Sequence, residues 1–212
     1  MREAIILFTR VPVPGKTKTR LMPDFSKEDS CKIHTILLEN IFNCIKSTKR
    51  DIFIYIYPIE KVDLMESILK FEKFYGQKGK NLNEKIANSI YETLEKGYDK
   101  VILVGSDIVG IDKSYMDKAF NMLDTKDIVI GPVKDGGYGL IGMKKRHEIF
   151  NEEKSGHSEV LKNLIQRIVE TRLTYGLLEE ILDVDDIGDF NLITGNKNKN
   201  ICEFERIIKY GQ

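Results

Sequence analysis

Four short runs of apolar and β-branched residues constrain the fold of this 212-residue chain more than any other feature of its sequence. Residues 4–8 read AIILF and residues 100–105 read KVILVG, and residues 51–57 and 127–131 have a similar character. Apolar runs of this length, bounded by polar segments, are typical of strands that are buried on both faces of a sheet. The sequence therefore predicts a central sheet with a layer of structure on each side.

Amphipathic helical patterns separate these runs. After a capping signal at Ser26, apolar residues recur at helical spacing, and they do so again between residues 81 and 96. Residues 114–123 and 157–170 also read as helices, and a last helix lies near residues 204–208. Strands that alternate with helices indicate an α/β fold with a mostly parallel sheet.

The second half of the chain predicts one exception to parallel pairing. A turn signal, Asp135-Gly136-Gly137, separates the strand at residues 127–131 from the apolar residues 138–143, which suggests a hairpin within a mixed sheet. No repeat, linker or break in composition divides the chain. We therefore expect one domain over residues 1–212.

Charge and cysteine content exclude several classes of function. The chain carries 33 basic and 33 acidic residues and a formal net charge of +0, which argues against a nucleic-acid partner. Its three cysteines are widely spaced, which argues against a disulfide framework and a zinc ribbon. Because no apolar run reaches the length of a membrane span or a signal-peptide core, we expect a cytoplasmic protein without a membrane span.

The loop after the first strand is the densest functional signal. Residues 10–20 read RVPVPGKTKTR and lie at the carboxyl end of a predicted buried strand, where open α/β sheets bind their ligands. Lysine supplies point charge and arginine can form paired hydrogen bonds to phosphate oxygens. The residues that we expect to bind a nucleotide through its phosphates are Arg10, Gly15, Lys16, Thr17, Lys18 and Arg20. The alternative is a solvated basic loop.

Two familiar nucleotide motifs do not fit this loop. Gly15-Lys16-Thr17 looks like the end of a Walker A loop, but that motif requires a glycine where this chain has Arg10. The dinucleotide-binding pattern G-x-G-x-x-G is absent. A P-loop NTPase and a classical NAD enzyme are both disfavoured.

Two groups of aspartates are candidate metal ligands. Asp107 follows the predicted strand at residues 100–105, and Asp183, Asp185 and Asp186 form an acidic cluster late in the chain. Mg²⁺ prefers one or two carboxylates together with phosphate oxygens and water. The alternative is that these carboxylates cap helices and turns, as Asp186 would before a helix that starts near residue 187.

Two further segments are candidate binding residues. The turn residues Asp135, Gly136, Gly137 and Tyr138 could face an acceptor substrate, or they could form an ordinary hairpin turn. Asn83 lies at the start of a predicted helix, where capping is its default role, but it could also contact a base or ribose.

Taken together, these segments resemble the GT-A-like family of glycosyltransferase-type proteins that includes radical-SAM and selenodomain-associated transferases. Its members resemble nucleotide-diphospho-sugar transferases and 2-phospho-L-lactate guanylyltransferase. The segments that carry the resemblance, in order, are residues 12–21 (PVPGKTKTRL), 79–87 (GKNLNEKIA), 104–108 (VGSDI), 131–142 (GPVKDGGYGLIG) and 183–186 (DVDD). The resemblance implies a Rossmann-like GT-A fold, a nucleotide bound through the first loop, and Mg²⁺ or Mn²⁺ held by Asp107 and Asp185.

These features together predict a metal-dependent transferase that uses a nucleotide-activated donor. Lys18, Arg20 and Asp107 would be its catalytic residues. The donor would be a nucleoside triphosphate or a nucleotide sugar, and the acceptor a small molecule. The four cations of the first loop favour nucleotidyl transfer slightly over glycosyl transfer. A non-catalytic nucleotide-binding or scaffold protein is the alternative, and the base, the acceptor and the oligomeric state remain open.

Overall fold

A computed structural model describes residues 1–150, 159–195 and 201–210 of the chain. Strands and helices alternate along most of it, as the sequence predicts. The strands are β1 (Glu3–Arg10), β2 (Asp51–Tyr57), β3 (Phe74–Gly76), β4 (Lys100–Gly105), β5 (Ile108–Val109), β6 (Ile128–Pro132), β7 (Tyr138–Met143), β8 (Tyr175–Leu177) and β9 (Leu182–Asp183). The helices are α1 (Lys27–Ser47), α2 (Val62–Leu69), α3 (Leu82–Leu94), α4 (Lys113–Thr125), α5 (Val160–Glu170), α6 (Ile187–Thr194) and α7 (Ile201–Tyr210).

Seven of the strands form one mixed sheet in the order β3-β2-β1-β4-β7-β6-β8. Strand β7 is antiparallel to its neighbours β4 and β6, and the other pairs in this sheet are parallel. The mostly parallel α/β fold and the hairpin near Asp135 are both confirmed. Since β1 lies between β2 and β4, the loop that follows β1 leaves the sheet at the centre of its carboxyl edge.

Successive side chains of each central strand enter two different cores. In β1, Ile5 and Leu7 pack with α1, α2 and α4, whereas Ala4 and Ile6 pack with α3 and α5. All four are fully buried. This is the alternation that a pleated strand imposes, and it explains why the run is apolar throughout: both faces are covered.

A third apolar cluster lies beside the sheet and fixes the loop that follows β1. Leu21 and Phe25 from this loop pack with Val184 and with Phe190 of α6. Leu21, Val184 and Phe190 are fully buried. The cluster therefore holds the basic loop against the chain segment that carries the late aspartates.

Element boundaries differ from the predictions by a few residues. Helix α3 begins at Leu82 because Asn81 is its N-cap, with its side chain accepting a hydrogen bond from the backbone N–H of Glu84. Helix α5 begins at Val160; residues 157 and 158, the predicted start of this helix, lie outside the described residues. The late acidic segment precedes a short helix as predicted, since Asp186 caps α6 and forms a capping box with Asp189.

Candidate functional site

The carboxyl ends of β1 and β4 lie side by side and start the candidate site. In the parallel register Phe8 lies opposite Gly105, so Thr9 comes next to Ser106. The Thr9 hydroxyl donates to Ser106 Oγ at 2.8 Å, and both residues are buried. Asp107, the next residue, emerges from this pair at the centre of the edge, where ligands bind in open α/β sheets.

Two very short strands bring the late aspartates to Asp107. Ile108 of β5 pairs with Asp183 of β9 in antiparallel register. The backbone N–H of Val184 donates to the Asp107 carbonyl at 3.0 Å. Next along the chain, the backbone N–H of Asp185 donates to Asp189 Oδ2 at 2.9 Å, which links its position to the capping box of α6. Residues about 78 positions apart in sequence thus form one carboxylate group.

The basic loop folds back so that two of its cations face these carboxylates. Gly15 has φ +78° and Lys18 has φ 49°, a left-handed conformation that turns the chain into a single 3₁₀ turn, Thr19–Leu21. Because Leu21 is fixed in the third apolar cluster, the side chains just before it are held in place. The turn therefore directs Lys18 and Arg20 at the late acidic segment.

Lys18 bridges the two predicted metal ligands. Its Nζ lies 3.0 Å from Asp107 Oδ2 and 3.0 Å from Asp185 Oδ1, and its side chain is only 4% exposed. Arg20 Nη1 lies 3.1 Å from Asp185 Oδ2. Burial alone would lower the pKa of Lys18, but attraction to Asp107 and Asp185 outweighs burial and raises it above its ordinary value. Lys18 is therefore a buried ammonium with two counter-charges.

His34 of α1 is a site residue that sequence analysis missed. It is 2% exposed; its Nδ1 lies 3.0 Å from Asp107 Oδ1 and its Nε2 lies 3.0 Å from the Arg10 carbonyl. His34 therefore connects Asp107 to the backbone at the end of β1. Burial would raise the pKa of Asp107, but Lys18 and His34 together hold it well below its ordinary value.

A third carboxylate lies next to this cluster in a different electrostatic state. Burial, reinforced by the negative charges of Asp135 and Asp185, raises the pKa of Asp183 to about 6. Among the described residues, no ion pair comparable to that of Lys18 compensates Asp183. The site combines two neutralised carboxylates with one that is costly to ionise.

An open cavity of about 680 Å³ connects the predicted binding residues. Its lining includes Arg10 at the end of β1, Asp107 and Asp185 of the carboxylate cluster, Asn83 of α3, and the turn residues Asp135, Gly137 and Tyr138. Several of the predicted nucleotide and acceptor residues thus line one cavity. Its remaining wall contains residues that no motif indicated, among them Tyr57 and Gln77.

The other predicted binding residues are not among those that line this cavity: Gly15, Lys16, Thr17, Lys18, Arg20 and Gly136. Lys16 is exposed, and Thr17 is buried with its hydroxyl donating to the Val13 carbonyl at 3.3 Å. In the acceptor turn, Asp135 Oδ1 accepts from the Gly137 N–H at 2.9 Å. The roles of these residues in ligand binding stay predictions.

The donor set fits a divalent cation that arrives with a phosphate ligand. Asp107 Oδ2 and Asp185 Oδ1 converge on one cation, Lys18 Nζ. Within the described parts of the chain, no group of three or more His, Cys, Asp and Glu side chains is arranged to hold a metal ion. A pair of carboxylates completed by phosphate oxygens is the arrangement typical of Mg²⁺.

Across the same described ranges, no helix has the length and apolar character needed to cross a bilayer.

The mixed sheet with its basic loop and facing aspartates defines a protein of the nucleotide-diphospho-sugar transferase fold class. A candidate nucleotide-diphospho-sugar transferase from Desulfovibrio desulfuricans G20 has a crystal structure that superposes with a TM-score of 0.86 at 28% identity, covering 95% of this chain and 90% of that one. The inositol-1-phosphate CTP transferase of T. maritima shares the fold, with a TM-score of 0.54 at 17% identity over 100% of this chain and 97% of the other.

The chain belongs to the family described as "Uncharacterized protein conserved in bacteria (DUF2064)", which matches residues 40–157. The 2-phospho-L-lactate guanylyltransferase of Methanocaldococcus jannaschii is 28% identical over 172 residues, which is 81% of this chain and 72% of that protein. The family match and the similarity to these transferases confirm the family resemblance that the sequence indicates.

Proposed function

We propose that the protein is a divalent-cation-dependent nucleotidyltransferase that moves a nucleoside monophosphate from a nucleoside triphosphate to a small anionic acceptor. The observation that carries this proposal is the Lys18 ammonium, bridged by Asp107 and Asp185 at 3.0 Å each beside the cavity. The chain is a transferase by its relatives. We propose that residues 1–212 form the single domain that carries the activity.

The ion pairs of Lys18 with Asp107 and Asp185 suggest separate roles for the cations and for the carboxylates. A bound triphosphate would compete with Asp107 and Asp185 for Lys18 and Arg20, and this competition would release the two carboxylates to hold the cation. Arg10 lines the cavity and adds positive charge at the end of β1, and Asn83 faces the same space from α3. When bound, a Mg²⁺ or Mn²⁺ ion would neutralise charge on the phosphates. Positioning and charge neutralisation account for most of such catalysis.

The proposed reaction needs no covalent intermediate on the protein. An acceptor oxygen attacks the α-phosphorus, the bond from that phosphorus to the α–β bridging oxygen breaks, and pyrophosphate leaves with the electron pair. Asp135, Gly137 and Tyr138, which line the same cavity, would position the acceptor. An acceptor that is already ionised, such as a phosphate ester, needs no general base. Glycosyl transfer would break a sugar–phosphate bond and release a nucleoside diphosphate instead.

The product of turnover tests the proposal. Because the relative from M. jannaschii is named 2-phospho-L-lactate guanylyltransferase, GTP is the first donor to test and 2-phospho-L-lactate is the first acceptor. We expect pyrophosphate release that requires Mg²⁺ or Mn²⁺ and that is lost in Asp107→Asn, while Lys118→Met, which changes an exposed ion pair with Glu179, retains it. Other triphosphates and phosphorylated acceptors follow if this pair is inactive.

Three outcomes would contradict the proposal. Release of nucleoside diphosphate from nucleotide sugars would show glycosyl transfer. Unchanged steady-state rates in Asp107→Asn would exclude the metal assignment. Nucleotide binding that is the same in EDTA, without turnover of any donor, would favour the non-catalytic alternative.

A further inference from the structure

Gln77 reaches across two strands at the end of the cavity opposite the acceptor turn. It follows β3, and its backbone N–H donates to the Ile56 carbonyl at 3.1 Å, which fixes the residue to β2. From there its side-chain Nε2 donates to the Thr9 carbonyl at 2.8 Å and to the Tyr55 carbonyl at 3.1 Å. Both amide hydrogens are therefore used by backbone carbonyls of β1 and β2.

These two bonds determine which way the amide points. A carbonyl oxygen only accepts hydrogen bonds, so turning the amide over would place Gln77 Oε1 against two other acceptors. Within the described residues, Oε1 receives no hydrogen bond, and Gln77 lines the cavity. The fold thus presents a fixed neutral acceptor in the cavity, with no donor of its own.

We propose that Gln77 is a specificity-determining residue that accepts hydrogen bonds from the base of the donor nucleotide and selects guanine. The inference rests on the proposed nucleotidyl transfer. A carbonyl oxygen has two lone pairs, and guanine presents two neighbouring donors on one edge, N1–H and the 2-amino group. Uracil places its single N3–H between two carbonyls, and adenine and cytosine present a ring acceptor beside their amino group.

Apolar and cationic side chains on the same wall fit a guanine base. Tyr57 and Leu82 line the cavity and are 43% and 60% exposed, so each offers apolar surface to the flat face of a base. Lys85 Nζ lies 4.0 Å from the centre of the Tyr57 ring, and Lys80 lines the same cavity. Ammonium donors favour a base that carries a carbonyl over one that carries an amino group at the corresponding position.

The test is the ratio of affinities for GTP and inosine triphosphate, which lacks only the 2-amino group of guanine. Both are titrated with Mg²⁺ by calorimetry against the wild-type chain, Gln77→Met and the control Gln166→Met. Gln166 Nε2 donates to Glu170 Oε1 at 2.9 Å within the same helix, and Gln166 is not among the residues that line the cavity. We expect the wild type and the control to bind GTP about tenfold more tightly, and Gln77→Met to lose most of this preference because its side chain has no hydrogen-bonding oxygen.

Two results would overturn the inference. The first is equal binding of GTP and inosine triphosphate by the wild type. The second is a folded Gln77→Met variant whose ratio of affinities for these two nucleotides is the same as that of the wild type. If thermal unfolding shows that Gln77→Met is not folded, the affinities of Gln77→Asn are measured instead. Asparagine keeps the amide group but has a shorter side chain. In either case metal-dependent triphosphate binding would leave the proposed nucleotidyl transfer standing. Failure of every triphosphate to bind would overturn both.

Discussion

Lys18 shows how one side chain can determine the state of several others. Its ammonium is shared by two carboxylates and is nearly inaccessible to solvent, whereas Asp107 and Asp185 are 39% and 35% exposed. The carboxylates can therefore be reached from the cavity while the cation that neutralises them is held inside. An arrangement of this kind costs desolvation of the lysine, and the two ion pairs offset that cost.

Replacing Lys18 with methionine is expected to destabilise the chain by about 1–2 kcal/mol when divalent cations are absent. Removing one partner leaves the other charges uncompensated, and the exposure of both aspartates reduces the effect below that of a fully buried pair. Mg²⁺ is expected to raise the melting temperature of Lys18→Met more than that of the wild type, because the ion replaces the lost ammonium. Equal stability, or an equal response to Mg²⁺ in thermal unfolding, would contradict this account of the bridge. Lys118→Met is the matched control, since its partner lies on the surface.

Two of the residues that sequence analysis missed, His34 and Gln77, differ in how visible they were. His34 lies among buried apolar positions of α1, between Ile33 and Leu37, so a polar residue on an apolar helix face was an available signal. Gln77 carried no such signal, because its importance comes from two backbone carbonyls that lie 68 and 22 positions away in sequence. Contacts of this kind depend on strand order, which local patterns do not encode.

At the scale of elements, the long apolar strands were predictable and the two-residue strands β5 and β9 were not. Strands β1, β2 and β4 are buried on both faces, and their runs of apolar and β-branched residues predict this. Strands β5 and β9 are two residues long, and their pairing depends on where the rest of the chain places them. Since this pair brings Asp183 and Asp185 to Asp107, the structure shows how aspartates that the sequence singled out separately come together.

The edge pair β6 and β8 supports a prediction about pH. The Thr174 hydroxyl and backbone N–H donate to Asp127 Oδ2 at 2.6 and 2.8 Å, and these bonds lower the pKa of Asp127 below its ordinary value. A lowered pKa in the folded state contributes stability above the unfolded pKa, and this stability is lost as the pH falls through the folded value.

Asp127→Ala is therefore expected to lower the free energy of unfolding by about 1 kcal/mol at pH 7 and by less at pH 3. Urea unfolding at both pH values measures the difference, and a double variant with Thr174→Val shows whether the two residues act as a pair. An effect of the same size at both pH values would mean that the carboxylate charge is not responsible.

At the scale of the whole molecule, shared elements link the three apolar clusters: the central sheet separates two of them, and helix α1 joins one of these to the third. Helix α1 contributes to the core on one face of the sheet through Leu38 and Ile41, and to the cluster beside the first loop through Ile33 and Ile36. Loss of either cluster would therefore expose part of the other. This supports the proposal that the chain is one cooperative unit.

A single unfolding transition is the expected result for such a unit. The chain has no tryptophan and nine tyrosines, so far-UV circular dichroism and tyrosine fluorescence provide independent signals. Tyr55 and Tyr75 report on β2 and β3, and Tyr115 and Tyr138 on the second half of the fold. We expect the two urea curves to coincide. Separate midpoints would show that the halves unfold independently.

The position of β1 has a consequence for synthesis on the ribosome. Ile6 pairs with Phe53 on one side and with Leu103 on the other, so β1, which is made before both neighbours, gains the second one only after β4 has emerged. The cations of the first loop likewise precede Asp107 and Asp185. A nascent chain that stalls before β4 exposes an unpaired apolar strand edge beside uncompensated positive charge. This interval is where the growing polypeptide is most prone to wrong pairing.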